Sequence, residues 1–184
     1  MSNMKTKSAL QSSTFSIYHK IVRVVWGLCY ALLFRFSPVP CFSYRRWLLR
    51  CFGAKIAEKV NVYPSVKIWF PKNLVMQSGS TLGPKVNVYN QGGISIGMNA
   101  IVSQGAHLCA STHDYNNPLH PLLLAPISIE QNAWICADAF IGPGVTVAEG
   151  SVVGARAVVM KNTECWSVYG GNPAIKVNER KRFE

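Results

Sequence analysis

The chain has 184 residues, 49% of them hydrophobic and 15% charged, so it is too apolar for a disordered segment and long enough to bury a core as one domain. Its formal net charge of +11 is uneven: residues 1–55 hold nine Lys or Arg and no carboxylate, while the remainder holds ten basic and eight acidic groups. Six cysteines, at 29, 41, 51, 109, 136 and 165, show neither CxxC spacing nor a compact secreted framework, which points away from a disulfide scaffold and toward reduced, mostly buried thiols.

The first element is a basic, apolar and helical extension over residues 1–55. Its centre, Ile21 to Phe36, reads IVRVVWGLCYALLFRF, with Trp26 and Tyr30 in an apolar run bracketed by Arg23 and Arg35. Only eleven residues separate the two arginines, too few for a spanning helix. The run suits a helix at a membrane interface, or one packed on the body, and the interleaved basic and aromatic residues favour peripheral membrane contact through residues 1–50. It begins late and ends in FSPVP without a small-residue cleavage site. That makes a poor signal peptide, so a cytoplasmic location, peripheral at the inner membrane face, is expected. Ser43 to Phe52, SYRRWLLRCF, follows Pro38 and Pro40 and precedes Gly53; its spacing predicts a short helix capping what comes next.

From residue 56 a six-residue period takes over. Ile56, Val62, Ile68 and Leu74 keep it, as do Met76, Leu82 and Val88, and, after a two-residue insertion near Gly92-Gly93, Ile96, Val102 and Leu108. It resumes in Ile129, Ile135, Ile141, Val147, Val153 and Val159, with Cys165 after them. Four residues after each of those six stand Ala133, Ala139, Val145, Ser151, Ala157 and Thr163, all small or β-branched. A helix of period 3.6 would lose this register and a plain alternating strand would not need it. It describes short strands joined by tight turns, three hexapeptides to a triangular coil, in about five to six coils of a parallel β-helix. Glycines after the inward residue, at 83, 97, 142 and 154, are expected where turns need them. The period breaks at 111–126, STHDYNNPLHPLLLAP, which carries three prolines. A loop leaving a rigid coil can carry function without disturbing the stack. The second domain is thus residues 56–184, with this inserted loop and a C-terminal tail.

Four segments carry a more specific likeness: LLRCFGAKI, GAHLCASTHDYNNPLHPLLLAPISI, NAWICADAFIGPGVTVAEGSVVGARAVVMKN and YGGNPAIKV. Over residues 43–178 the chain resembles the hexapeptide-repeat acetyltransferases of the galactoside, maltose and nodulation superfamily, and within it the colanic-acid-biosynthesis type. The resemblance implies an all-β, left-handed parallel β-helix, a homotrimer, and acetyl-CoA as co-substrate in the cleft between subunits, with no metal. It implies O-acetylation of a sugar or lipid-linked oligosaccharide for exopolysaccharide, with His113 of STHDY as the catalytic base in a ternary complex. Histidine suits that task because its ordinary pKa is about 6.5.

Further roles come with the same resemblance. Asn90 aligns with an acidic acceptor-binding position and otherwise reads as a turn Asn. Asp114 is a candidate on the substrate side or to orient His113, and Trp134 is a candidate wall of the acetyl end. Ala137, Ala155, Met160 and Lys161 align with contacts to the co-substrate, and Lys161 and Lys176 could meet its phosphates. Relatives commonly carry Arg after GNPA, whereas this chain has Ile175 and then Lys176.

Two rival readings use the same residues. A zinc-dependent, carbonic-anhydrase-like hydratase on this solenoid would need three converging imidazoles, for which His107, His113 and His120 are the candidates, without that family's spacing. A non-catalytic trimeric binder could use the basic end, but no nucleic-acid-reading module is recognisable and no nucleic-acid partner is expected.

Overall fold

The structure is a computed structural model and describes residues 15–183. The expected basic extension therefore falls partly outside the described residues, at 1–14. Its described part forms helix α1 (Ile17–Cys29), a π turn (Tyr30–Phe34) and helix α2 (Phe42–Cys51). Ser16 caps α1 by accepting from the backbone N–H of His19.

The rest is a triangular parallel solenoid. Lys55–Ile56, Leu74–Met76, Ile94–Ile96, Ile127–Ile129 and Thr146–Val147 stack into the first face. The second face runs through Asn61–Val62, Thr81–Leu82, Ile101–Val102, Trp134–Ile135, Val152–Val153 and Ser167–Gly170. The third holds Lys67–Ile68, Asn87–Tyr89, His107–Cys109, Phe140–Ile141 and Val158–Val159. Five coils are complete and a sixth is partial, closed by the antiparallel strand Ile175–Glu179 on Ser167–Gly170.

The inward residues read from the period are buried, and so are the six small or β-branched positions that follow them. Each fully buried Ile, Leu or Val contributes about 1.5–3 kcal/mol, so a narrow solenoid acquires a core without helices. The register differs from expectation at three places. Ile56 pairs with Met76 and Met76 with Ile96, so the first two coils each hold twenty residues; the additional insertion is the 3₁₀ turn Pro71–Asn73. Cys165 is exposed, because the chain leaves the six-residue register after Thr163. The glycines after the inward residues open the turns, where the carbonyls of Gly83, Gly97 and Gly154 accept from Val86, Ala100 and Ala157, but they do not supply left-handed backbone. A Cβ on Gly97 would lie 2.5 Å from the backbone nitrogen of Gln131 in the next coil, so absence of a side chain is what lets the coils stack there. Left-handed backbone falls two residues further on, at Lys85 (φ 60°), Asn99 (φ 56°), Gly144 (φ 75°) and Arg156 (φ 58°).

The first coil presents an open edge, and α2 covers it. Leu48 and Leu49 close the core, while three arginines satisfy edge carbonyls: Arg45 Nε donates to Val62 (2.6 Å), Arg46 Nη1 to Val60 (3.0 Å) and Arg50 Nε to Ile56 (2.8 Å). Arg45 is fully buried and also ties down the 37–39 turn through Ser37, Pro38 and Val39. A third of the basic groups in residues 1–55 thus serve as caps, which weakens the nucleic-acid reading of that charge.

Candidate active site

The break in the period is a β-hairpin. After the third-face strand of the third coil, Ser111–His113 pairs antiparallel with Leu122–Leu124, and the chain re-enters the solenoid at Ile127. Both ends are pinned at the corner between the third and first faces. Ala125 N–H donates to Ala110, and Gly144 N–H of the next coil donates to Ala125.

His113 stands exposed at the end of the first hairpin strand. Its Nδ1 lies 2.6 Å from the carbonyl oxygen of His120 across the hairpin. A carbonyl only accepts, so Nδ1 carries the proton and Nε2 is left with a free lone pair in the neutral ring. The turn that aims this carbonyl is tight: His120 has φ 43°, and its N–H donates to Asn117. Asp114 does not orient the imidazole. Its Oδ1 accepts from Asn116 N–H at 3.0 Å, an Asx turn at the tip.

The other expected site residues separate. Asn90 is fully buried, with Oδ1 accepting from Phe70 N–H (3.1 Å) and Nδ2 donating to the Phe70 carbonyl (2.8 Å). The acceptor-contact expectation is corrected here: its amide is spent on locking two corners, the turn-Asn alternative. Trp134 lies on the outside of the second face, 43% exposed, with Nε1 donating to Ser103 Oγ at 2.9 Å. Ala137 and Ala155 stack on successive coils at the corner between the second and third faces, where Arg156 N–H donates to the Ala137 carbonyl. The same corner holds Pro84 and Gln104 in earlier coils, so it narrows to small side chains only in the last two. Met160 and Lys161 are exposed one face away, at the corner that bears the hairpin. Met160 folds over Gly142, which has no side chain to obstruct it. Lys176 is ion-paired with Glu164 (2.8 Å) and Glu179 (3.3 Å), which raise its pKa, so its charge already has carboxylate partners.

Sequence reasoning passed over Asn87. Its Nδ2 lies 3.4 Å from His107 Nε2 on the third face, where His107 also meets Phe140 edge-on. Burial holds the His107 pKa below its ordinary value, so the ring stays neutral. The polar Asn87–His107 pair at one register position, with Nε2 accepting, was the available signal. The three imidazoles of the hydratase reading do not converge. His107 packs on the third face, and His120 meets His113 through its backbone. Among the described residues no three His, Cys, Asp or Glu side chains form a metal-ligand set.

No family model matches the chain. It is 39% identical over 160 residues to the Escherichia coli (strain K12) protein named for colanic acid biosynthesis, acetyltransferase WcaF, spanning 87% of this chain and 88% of that one. The chain belongs to the hexapeptide-repeat acetyltransferases. Two solved members of this group share the architecture. A maltose O-acetyltransferase from Clostridium difficile 630 superposes with TM-score 0.81 at 19% identity, covering 91% of this chain and 90% of that chain. The hexapeptide-repeat acetyltransferase VCA0836 of Vibrio cholerae O1 biovar eltor, in complex with acetyl coenzyme A, superposes with TM-score 0.81 at 22% identity, covering 91% of each. The fold is accordingly the family's left-handed parallel β-helix, and the protein is an acyl-CoA-dependent acetyltransferase.

Proposed function

We propose that the protein moves an acetyl group from acetyl-CoA to a sugar hydroxyl during exopolysaccharide assembly, with His113 as general base. The observation that carries this is the hydrogen bond from His113 Nδ1 to the His120 carbonyl, because it leaves Nε2 unprotonated on an exposed hairpin. Nε2 takes the acceptor's hydroxyl proton as the oxygen attacks the thioester carbonyl, and returns it to the departing thiolate sulfur. As the ring charges at Nε2, the His120 carbonyl keeps accepting from Nδ1–H and stabilises the imidazolium. The relatives named for colanic acid and maltose support a sugar acceptor.

The co-substrate fits the outside of the third face in the last coils. There the small Ala137–Ala155 corner lets a thin pantetheine arm approach the backbone, and Met160 and Lys161 stand at the opposite corner. Lys161 is an exposed candidate for a phosphate contact, whereas Lys176 would first have to leave its two carboxylates. The hairpin stands off the coil with Leu123 and Leu124 exposed beside His113. A neighbouring copy packed against it would complete the site, and the homotrimer belongs to this reading.

Calorimetry with acetyl-CoA, alongside release of free CoA thiol in the presence of sugar acceptors, tests the proposal. Wild type and His113→Ala should bind acetyl-CoA alike, because His113 meets the acceptor. The variant's turnover should fall about 10²–10⁴-fold. A folded wild type that binds no acetyl-CoA removes the acyltransferase reading, and a variant that turns over normally removes His113 as the base.

A further inference from the structure

A surface helix of a soluble protein turns its apolar stripe inward and its polar side outward. Helix α1 is built the other way round. Its body-facing side holds His19, Arg23 and Trp26. His19 stacks on Phe70 at 3.9 Å, Arg23 lies over the Trp69 ring at 3.3 Å, and Trp26 Nε1 donates to the Ile68 carbonyl at 2.7 Å. Its outer side is aliphatic: Ile17 is 76% exposed, Ile21 58%, Val24 65% and Leu28 60%. The same surface continues through the exposed Leu32, Leu33 and Phe36. Exposed Lys20 and Arg35 flank it, and a groove of about 400 Å³ runs along its edge, lined by Tyr18, Ile21, Val25, Phe52, Phe70 and Lys72.

Contiguous apolar surface of this extent marks an interaction site. Ile17–Phe34 is long and apolar enough to be considered as a membrane span. Its inner side, however, is fixed to the first coil through Trp26, Phe34, Arg23 and His19, so spanning would strip those contacts. A helix held flat, apolar side out and flanked by cations, matches a bilayer interface. The bias in charge narrows the lipid, since Lys20 and Arg35 stand exposed beside the apolar face and residues 1–55 contain no carboxylate to offset them.

We propose that the outer face of α1 docks the enzyme on an anionic bilayer, with Ile17, Ile21, Val24 and Leu28 inserted among the acyl chains and Lys20 and Arg35 at the headgroups. This deepens the sugar-acyltransferase reading and rests on it for its purpose. Helix α1 packs at the corner after Ile68 in the first coil, and the His113 hairpin leaves the same corner two coils above. With about 4.8 Å between coils, that offset is roughly 10 Å along the axis. An acceptor anchored in the bilayer by a lipid would thus present its sugar beside His113.

The test uses the full chain and flotation with vesicles of phosphatidylcholine alone or of equal parts phosphatidylcholine and phosphatidylglycerol. Wild type should float with the anionic vesicles and not with the neutral ones, and the bound fraction should fall as salt rises. The double variant Val24→Glu, Leu28→Glu should lose at least about tenfold in bound fraction while keeping its thermal midpoint, because both side chains are exposed and Glu favours helix. Equal flotation of variant and wild type overturns the proposal, as does equal binding to both vesicle types. It is also overturned if wild type ignores vesicles but sediments as a larger assembly that the variant dissolves, which would show a second copy on this face. The readout is binding, so its failure leaves acetyl-CoA binding and CoA release, the measures of the acyltransferase reading, unaffected.

Discussion

Asn90 spends both ends of its amide on Phe70 and is fully buried, whereas His113 spends one ring nitrogen on a carbonyl and keeps the other in the open. The resemblance gave both residues a site role, with a turn-Asn alternative kept for Asn90, and burial, which one sequence does not report, decides for that alternative. What singles out a base is a partner that fixes the ring and leaves a lone pair free. Asn90→Ala would remove two hydrogen bonds and strand the Phe70 backbone groups inside the fold. It should cost about 2–4 kcal/mol in urea unfolding and leave the KM for the acceptor unchanged where the protein is folded. An unchanged unfolding midpoint with a raised KM would return Asn90 to the acceptor site.

Among the elements, the coils were legible from the sequence because a six-residue period places one large side chain per strand in the interior and one small one at each corner. The first extra-residue corner was hidden, since Leu74 and Met76 both fit an inward pattern and both are buried. The hairpin was legible only as a break: its prolines, at 118, 121 and 126, mask the pairing of Ser111–His113 with Leu122–Leu124. That pairing makes a sharp prediction about His120. The hairpin uses its carbonyl and its left-handed turn, and glycine supplies both without a side chain. His120→Gly should therefore keep turnover within about threefold of wild type, measured by CoA release, since relieving a left-handed non-glycine residue is worth only about 1 kcal/mol. A loss as deep as that of His113→Ala would give the His120 imidazole itself a part in the chemistry.

At the scale of the molecule, the groups whose pKa values move on folding bracket a stability plateau. His107 is held below its ordinary value by burial on the third face, and His19 by burial and the nearby Arg23 where α1 meets the solenoid. For both, the unfolded chain takes up a proton as pH falls through about 6.5 while the native protein does not, so stability present above that pH is lost below it. Glu58, lowered by its bond to Arg50, acts in the same direction below about 4.3. At the other end, burial raises the Cys29 and Cys136 thiols, so the unfolded chain ionises first and stability declines above about 8.5. Thermal midpoints should thus be flat between about 6.5 and 8.5 and fall on either side. Replacing both histidines, His19→Gln with His107→Asn, should lower the plateau through lost stacking yet flatten the decline between pH 6.5 and 5, by roughly 2–5 °C relative to wild type. The measurement is the shape of the curve rather than its height. An acid limb equally steep in the double variant would place the proton uptake on carboxylates and remove the histidines as the source of the pH limit.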